Sequence, residues 1–405
     1  MSKGSIGNLH TRIIVSAAAI YSLAMLANWT QPMLVGELMG SFGISALSAG
    51  LIPAAEMAAL AISSMLCAKY LPQITYRRII AWAIILIGAG NLASIYIASY
   101  LPLLIVRIVC GLGAGLLLMV SIAVVANFDD SDRAYGQINT ACAIAAMVAF
   151  AAAPLLPVEN GIPLTFPILF IFVAILLPFS FAMPGNLVMS ASVNSEVDSA
   201  TNNISLDVVL IAIAVFISCC IFSSIWPYYV LLGERAGLPA DQINIIMTYS
   251  ILFTLIGSMT ASFIGHKFGR LRPAALGLIL MTVAIVSLSI SSNTLVYRLF
   301  TGLNLLGLYI FIPYFLGYAS QADHSGRGPA IVAGTFMLAA AAGPYLGGAV
   351  LSLFDIAVFA WIAPISNLIA FVLLYTVSTR QRTYLEEPDV VARAAGIPGA
   401  QTSSN

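Results

Sequence analysis

Charge is what this chain has least of. Only 8% of its 405 residues are Asp, Glu, Lys or Arg, where soluble globular domains carry roughly 25%. The 16 basic and 16 acidic residues cancel, so nothing in the composition draws a polyanion and no nucleic-acid partner is expected. Histidine is scarcer still: His10, His266 and His324 fall in separate loops, without the clustering that a metal centre or a membrane-surface enzyme needs. The five cysteines lie inside apolar stretches with no ligand spacing. They read as small packing residues, so no metal and no cofactor are expected. No phosphate-binding loop and no nucleophile constellation is present, which leaves an enzyme without its chemistry. A sensor would need an output domain, and the segment 380–405 is too short and too rich in Ala, Gly and Ser to be one.

What is present is hydrocarbon. Sixty per cent of the residues are hydrophobic and mean hydropathy is +1.00. A bilayer-spanning helix takes about 20 apolar residues. Twelve stretches qualify, near 13–35, 46–68, 78–98, 101–126, 135–157, 163–184, 207–231, 242–265, 273–293, 295–319, 329–352 and 356–377. The first exceeds the roughly 7–15 apolar residues of a secretory signal, which favours a retained span. With a cytoplasmic amino terminus, 13 of the 16 basic residues face the cytoplasm and only Arg235 faces the far side. That asymmetry predicts both termini inside, in a bacterial inner membrane.

The spans repeat. Leu-Ile-Val-Arg107-Ile-Val-Cys-Gly111-Leu is answered by Leu-Val-Tyr-Arg298-Leu-Phe-Thr-Gly302-Leu, 191 residues on. Gly43-Ile-Ser and Gly237-Leu-Pro lie 194 apart, as do Asp129-Asp-Ser-Asp-Arg133 and Asp323-His-Ser-Gly-Arg327; Pro154 and Pro344 lie 190 apart. Short insertions between matched blocks are what divergence after duplication leaves. The reading is an all-α integral membrane protein of twelve helices in two pseudo-symmetric six-helix bundles: 1–183, a polar cytoplasmic linker 184–206, 207–379, and a disordered cytoplasmic tail 380–405. Two similar apolar halves are the mark of a secondary transporter whose halves rock about a central site.

Over nearly all of residues 10–380 the chain resembles the major facilitator superfamily. Ser262-Phe-Ile-Gly-His266-Lys267-Phe-Gly269-Arg270-Leu-Arg272 is similar to its cytoplasmic signature Gly-x-x-x-Asp-x-x-Gly-Arg-x-Arg, with His266 at the acidic position and Ser262 at the first glycine. In the first half, Tyr76-Arg77-Arg78 keeps the basic end alone. Arg107-x-x-x-Gly111-x-Gly113-x-Gly115 resembles the fourth-span motif. Ala342-Gly343-Pro344-Tyr-Leu-Gly347-Gly348 resembles the Gly-Pro-x-x-Gly-Gly motif of antiporters, displaced here from the fifth span to the eleventh. The resemblance implies alternating access, with Arg77, Arg78, Lys267, Gly269, Arg270 and Arg272 as gating-loop candidates; the basic residues would latch onto helix carboxyl ends or onto Asp129, Asp130 and Asp132. The glycines favour close helix contact over a phosphate cradle, since small residues drive helix association in lipid.

Three charges fall well inside spans: Glu56, Arg107 and Arg298. An ion at mid-bilayer costs about 2.5–3.5 kcal/mol on insertion scales, so one that persists faces a cavity or a partner. From the 1.5 Å helical rise, Arg107 lies about 9 Å and Glu56 about 16 Å below the outer surface, a gap that an arginine side chain closes. The expected role is a pair whose carboxylate takes up a proton in one state, with a static ion pair as the bland alternative. The central cavity is expected on the first, fourth, seventh and tenth spans, where the polar and aromatic candidates are Asn28, Trp29, Gln31, Arg107, Trp226, Tyr228, Arg298, Asn304, Tyr309 and Tyr314. Trp29 and Trp226 equally fit interfacial anchors. Gln31-Pro32 and Trp226-Pro227, 195 apart, extend the symmetry. Aromatic faces with a few amides suit a flat, partly apolar small molecule. The leading expectation is a monomer that exports such a molecule in exchange for protons. Proton-coupled uptake of a small organic solute such as an organic acid drawn to Arg107 and Arg298 is the alternative; a membrane enzyme or sensor is a distant third.

Overall fold

The computed structural model describes residues 3–70, 75–126, 128, 131–156, 163–182, 204–265, 267, 269–323 and 327–386. The described residues form helices joined by short turns. The first bundle holds α1 (Lys3–Trp29), α2 (Gln31–Phe42), α3 (Ala46–Tyr70), α4 (Tyr76–Tyr96), α5 (Tyr100–Val125), α6 (Ser131–Ala152) and α7 (Thr165–Ser180). The second holds α8 (Leu206–Ile225), α9 (Tyr229–Arg235), α10 (Ala240–Ile264), α11 (Leu271–Ile290), α12 (Thr294–Ala322), α13 (Arg327–Leu353) and α14 (Phe359–Glu386). Eleven of these segments are long and apolar enough to cross a bilayer, α8 and α9 counting as one crossing; α7, at 16 residues, is the shorter sixth crossing. The linker 184–206, apart from the start of α8, and the tail from 387 onward lie outside the described residues.

Two breaks reproduce the repeat in the backbone. The first crossing of each bundle is interrupted toward its far end by a proline: α1 stops at Trp29 before Pro32, and α8 passes through a 3-10 turn at Trp226–Tyr228 that contains Pro227. Proline has no N–H to offer the carbonyl four residues earlier. Asn28 and Ser223 therefore lose their helical donors at matched places.

Glycine sets the packing of the crossings. A Cβ on Gly111 would stand 2.2 Å from the Glu56 carbonyl oxygen and 3.0 Å from the Ala59 Cβ, so α5 lies backbone to backbone on α3. The matched Gly302 of α12 faces Phe253 of α10, 194 residues on from Ala59. Between bundles the same device recurs at the far side: a Cβ on Gly50 of α3 would sit 2.2 Å from the Pro344 carbonyl oxygen of α13, and one on Gly348 would sit 2.5 Å from the Ala46 carbonyl oxygen. The other bundle contact, α6 with α10, is its pseudo-symmetric mate and is the less extensive of the two. The bundles are thus shut at the end bearing Gly43 and Leu353, and part toward the end bearing the basic loops.

Gly111→Val is expected to wedge α5 from α3 and lower stability by about 1–3 kcal/mol, the usual effect of overpacking. Gly40→Ala, whose added Cβ meets nothing within 4 Å, should leave stability unchanged or slightly higher. Thermal denaturation of the two purified variants in detergent checks the contrast.

Candidate functional site

Glu56 of α3 and Arg107 of α5 meet inside the first bundle. The Arg107 Nε donates to Glu56 Oε2 at 3.0 Å, and its Nη2 donates to Glu56 Oε1. Nη1 donates to Asn91 Oδ1 of α4 at 2.7 Å, and the guanidinium carbon lies 5.5 Å from the Phe166 ring centroid. Arg107 is 1% and Glu56 2% exposed, so both lack water. A two-pronged pair suits a guanidinium, whose planar fork matches a carboxylate. Asn91 escaped the sequence reading; its signal was an amide in the middle of the apolar run Gly88-Ala-Gly-Asn91-Leu.

The ion pair borders a niche of about 10 Å³ that Leu23, Leu26 and Ala27 of α1 cover. On the opposite face of that helix lies a cavity of about 620 Å³ between the bundles, lined by Tyr21, Met25, Asn28 and Trp29 of α1. The two sets of α1 positions differ by about half a helical turn. That helix, with Met57 and Leu60 of α3, therefore stands between the charges and the cavity.

The sequence candidates divide between cavity and packing. Asn28, Trp29, Gln31, Trp226 and Tyr309 line the cavity. Trp29 stacks on Tyr309 with centroids 6.2 Å apart and meets Trp226 edge-on at 6.1 Å. The Trp226 indole N–H donates to the Asn28 carbonyl at 3.2 Å, the very group that Pro32 leaves without a helical donor. The pairing of the two proline breaks thus crosses from bundle to bundle. Neither tryptophan is an interfacial anchor.

Arg107, Tyr228, Arg298, Asn304 and Tyr314 are not on the cavity wall, and the expectation that they share it is corrected. Arg298 is exposed, bonded to Gln242 Oε1 at 3.1 Å. It is the fifth residue of α12 whereas Arg107 is the eighth of α5, so the shorter lead-in lets its head reach the membrane edge. Asn304 donates to the Tyr229 hydroxyl inside the second bundle. Tyr314 donates to the Ala261 and Gly265 carbonyls at 3.1 and 3.3 Å, pinning the end of α10. Tyr228 bridges the bundles: its hydroxyl lies 3.0 Å from the Ala46 carbonyl oxygen and 2.9 Å from that of Pro344. Cavity residues missed by the sequence reading include Tyr21, Asn139, Thr254 and Phe336; the last three lie on spans outside the expected set, and Tyr21 is an ordinary residue of the first span.

At the open end, Arg77, Arg78, Lys267 and Arg272 are exposed, and Gly269 adopts φ +71°, a left-handed conformation natural to glycine. Arg270 donates to Gln321 of its own bundle. His266, Asp129 and Asp130 lie outside the described residues, and nothing is described of the Asp132 side chain. Opposite the cavity's open end, Glu37 of α2 accepts from the backbone N–H and hydroxyl of Thr165 at 3.1 and 2.7 Å, capping α7.

Two bundles, shut at one face and parted at the other around a cavity, define a secondary transporter that works by alternating access. The family model described as Major Facilitator Superfamily matches residues 17–201 and 211–396, and the chain belongs to that superfamily. Among solved structures it is similar to the nucleoside transporter NupG (TM-score 0.69, 12% identity, 90% of this chain and 99% of that one). It is similar also to a bacterial homolog of the human lysosomal transporter Spinster in its inward-facing, occupied form (0.67, 13%, 96% and 99%). A D-xylose-proton symporter is a third (0.68, 16%, 91% and 97%). No curated protein matches the chain by sequence.

Removing the Tyr228 hydroxyl should loosen the shut end. Tyr228→Phe forfeits an interbundle hydrogen bond worth about 1 kcal/mol, a shift of about fivefold toward the state open at that end. Spin labels placed at Ser45 and Leu353, one on each bundle, should show a larger long-distance population in the variant; an unchanged distance distribution contradicts a latch there.

Proposed function

We propose that the protein exports a small aromatic, amphipathic molecule across the bacterial inner membrane in exchange for protons, with Glu56 as the proton site. The observation that carries this reading is the placement of the Glu56, Arg107 and Asn91 cluster against one face of α1 while the cavity occupies the other. A carboxylate clamped by a guanidinium resists protonation, and one released from it in hydrocarbon takes up a proton readily, since burial disfavours the charged form. Movement of α1 during the rocking of the bundles changes which of these Glu56 experiences. Protonated, Glu56 leaves Arg107 to Asn91 and the Phe166 ring.

The basic loops orient the open end toward the cytoplasm by the charge rule, which makes this state inward-facing. Arg77, Arg78, Lys267, Arg270 and Arg272 belong to that mouth, and they latch it on closing by bonding helix carboxyl ends or Asp129, Asp130 and Asp132. The competing reading, uptake of an organic acid, needs a cation in the cavity. Arg298 stands outside it and Arg107 is paired with Glu56, so an organic acid finds no free cation there; uptake of a neutral organic solute needs no such cation.

Everted vesicles with an imposed pH gradient test the assignment. Glu56→Gln should abolish gradient-driven accumulation of an exported aromatic dye while equilibrium exchange of the dye persists. Because this variant leaves Arg107 buried without its partner, a loss of about 3–5 kcal/mol in stability is expected. Replacing both, Glu56→Gln with Arg107→Gln, should recover folding but not coupling. Full accumulation in either variant rules out Glu56 as the proton site.

A further inference from the structure

The export reading leaves the chemistry of the solute open, and the cavity wall narrows it. Among the described residues that line it there is no Asp, Glu, Lys, Arg or His. The nearest membrane-buried charges, Glu56 and Arg107, satisfy each other on the far side of α1. An organic ion entering this space would shed water without gaining a counter-ion, which is strongly unfavourable.

Aromatic rings can stand in for an anion by presenting their faces to a cation. Here those faces are turned to each other. Trp226 stacks on Phe222 at 6.0 Å with planes 14° apart and meets Tyr229 edge-on at 5.4 Å; Trp29 lies on Tyr309 with planes 26° apart. The wall therefore offers ring edges and flat apolar area, which suit an aromatic guest, rather than an open cage.

Proline adds backbone acceptors to the wall. Pro313 and Pro344 supply no N–H, so the carbonyls of Tyr309 and Ala340 lose their helical donors, and both residues line the cavity; the Ser223 carbonyl, freed by Pro227, packs against Gly343 of α13. The equivalent carbonyl at Asn28 is already met by Trp226. One N–H of the Gln31 side-chain amide is taken by Asn28 Oδ1 at 3.1 Å. Water meets such carbonyls while the cavity is open, and a guest that displaces it must bring donors of its own.

We infer that the cavity selects an uncharged aromatic solute carrying a hydrogen-bond donor, a phenolic hydroxyl or a ring N–H, and disfavours organic ions of either sign. This rests on the transporter reading for its purpose but not on proton coupling. Four probes sharing one ring system test it at pH 7: 2-naphthol, its methyl ether 2-methoxynaphthalene, 2-naphthoate, and (2-naphthylmethyl)trimethylammonium. Saturable binding to the purified protein in lipid nanodiscs, measured by equilibrium dialysis against empty nanodiscs and with no gradient present, should rank 2-naphthol first. It should bind at least about tenfold tighter than either ion, a difference of about 1.4 kcal/mol, and severalfold tighter than the ether.

Asn28→Asp, which sets a carboxylate into the wall at unchanged size, should raise the affinity of the ammonium probe and lower that of 2-naphthoate. An ion that binds the native protein as tightly as 2-naphthol overturns the inference, as does an ether equal to the alcohol, or the absence of saturable binding by all four. Because no pH gradient enters the measurement, failure of the Glu56 assignment in vesicles leaves this result standing, and failure here leaves that assignment untouched.

Discussion

Hydrocarbon supplies no partner to a charge or to a backbone amide, so each polar group inside the spans must be met by another part of the protein. That constraint explains why Arg107 is fully engaged: its guanidinium is shared between Glu56 and Asn91, drawing α3, α4 and α5 together around one charge. It explains equally why the proline breaks sit where they do. A carbonyl stripped of its helical donor is tolerable only against a neighbouring helix or a water-filled space, and both breaks have the first of these: Asn28 in the Trp226 indole and Ser223 in the α13 backbone at Gly343. The cavity and the breaks are consequences of the same rule.

The twofold repeat governs the scaffold but not the chemistry. Gly111 and Gly302 hold matched helix crossings, and the two proline interruptions face each other across the bundle interface. The ionic cluster has no counterpart in the second half: the residue 194 positions beyond Glu56 is Ser250, buried with its hydroxyl unpartnered, and Arg298 has moved to the membrane edge. One bundle therefore holds a buried ion pair that the matched positions of the other lack.

Reading the chain before its structure recovers the crossings because hydropathy is a sum over some twenty residues and tolerates local error. It recovers the superfamily from the Arg107 glycine run and the Gly269-Arg270-Leu-Arg272 loop, where several residues must coincide. The site is harder. Glu56 and Arg107 stand out because a charge in an apolar run is rare, whereas Asn91, Tyr21 and Thr254 are ordinary residues whose importance comes from what lies opposite them. Tyr228 and Asn304 resemble cavity residues in sequence; the 3-10 turn at Trp226–Tyr228 rotates Tyr228 away from the α-helical spacing, and Asn304 is drawn inside the second bundle by the Tyr229 hydroxyl.

By itself the sequence determined that the protein lies in lipid, that it is built twice, and that two opposite charges share the interior of its first half, since each of these is written in composition or in the spacing of single residues. Only the tertiary structure decided that the charges face away from the cavity, that Arg298 lies outside it, and that the bundles are shut on the side of Gly50 and Gly348. Those are questions of which face a helix presents and how closely two backbones approach, and they are settled by contacts between residues far apart in the chain.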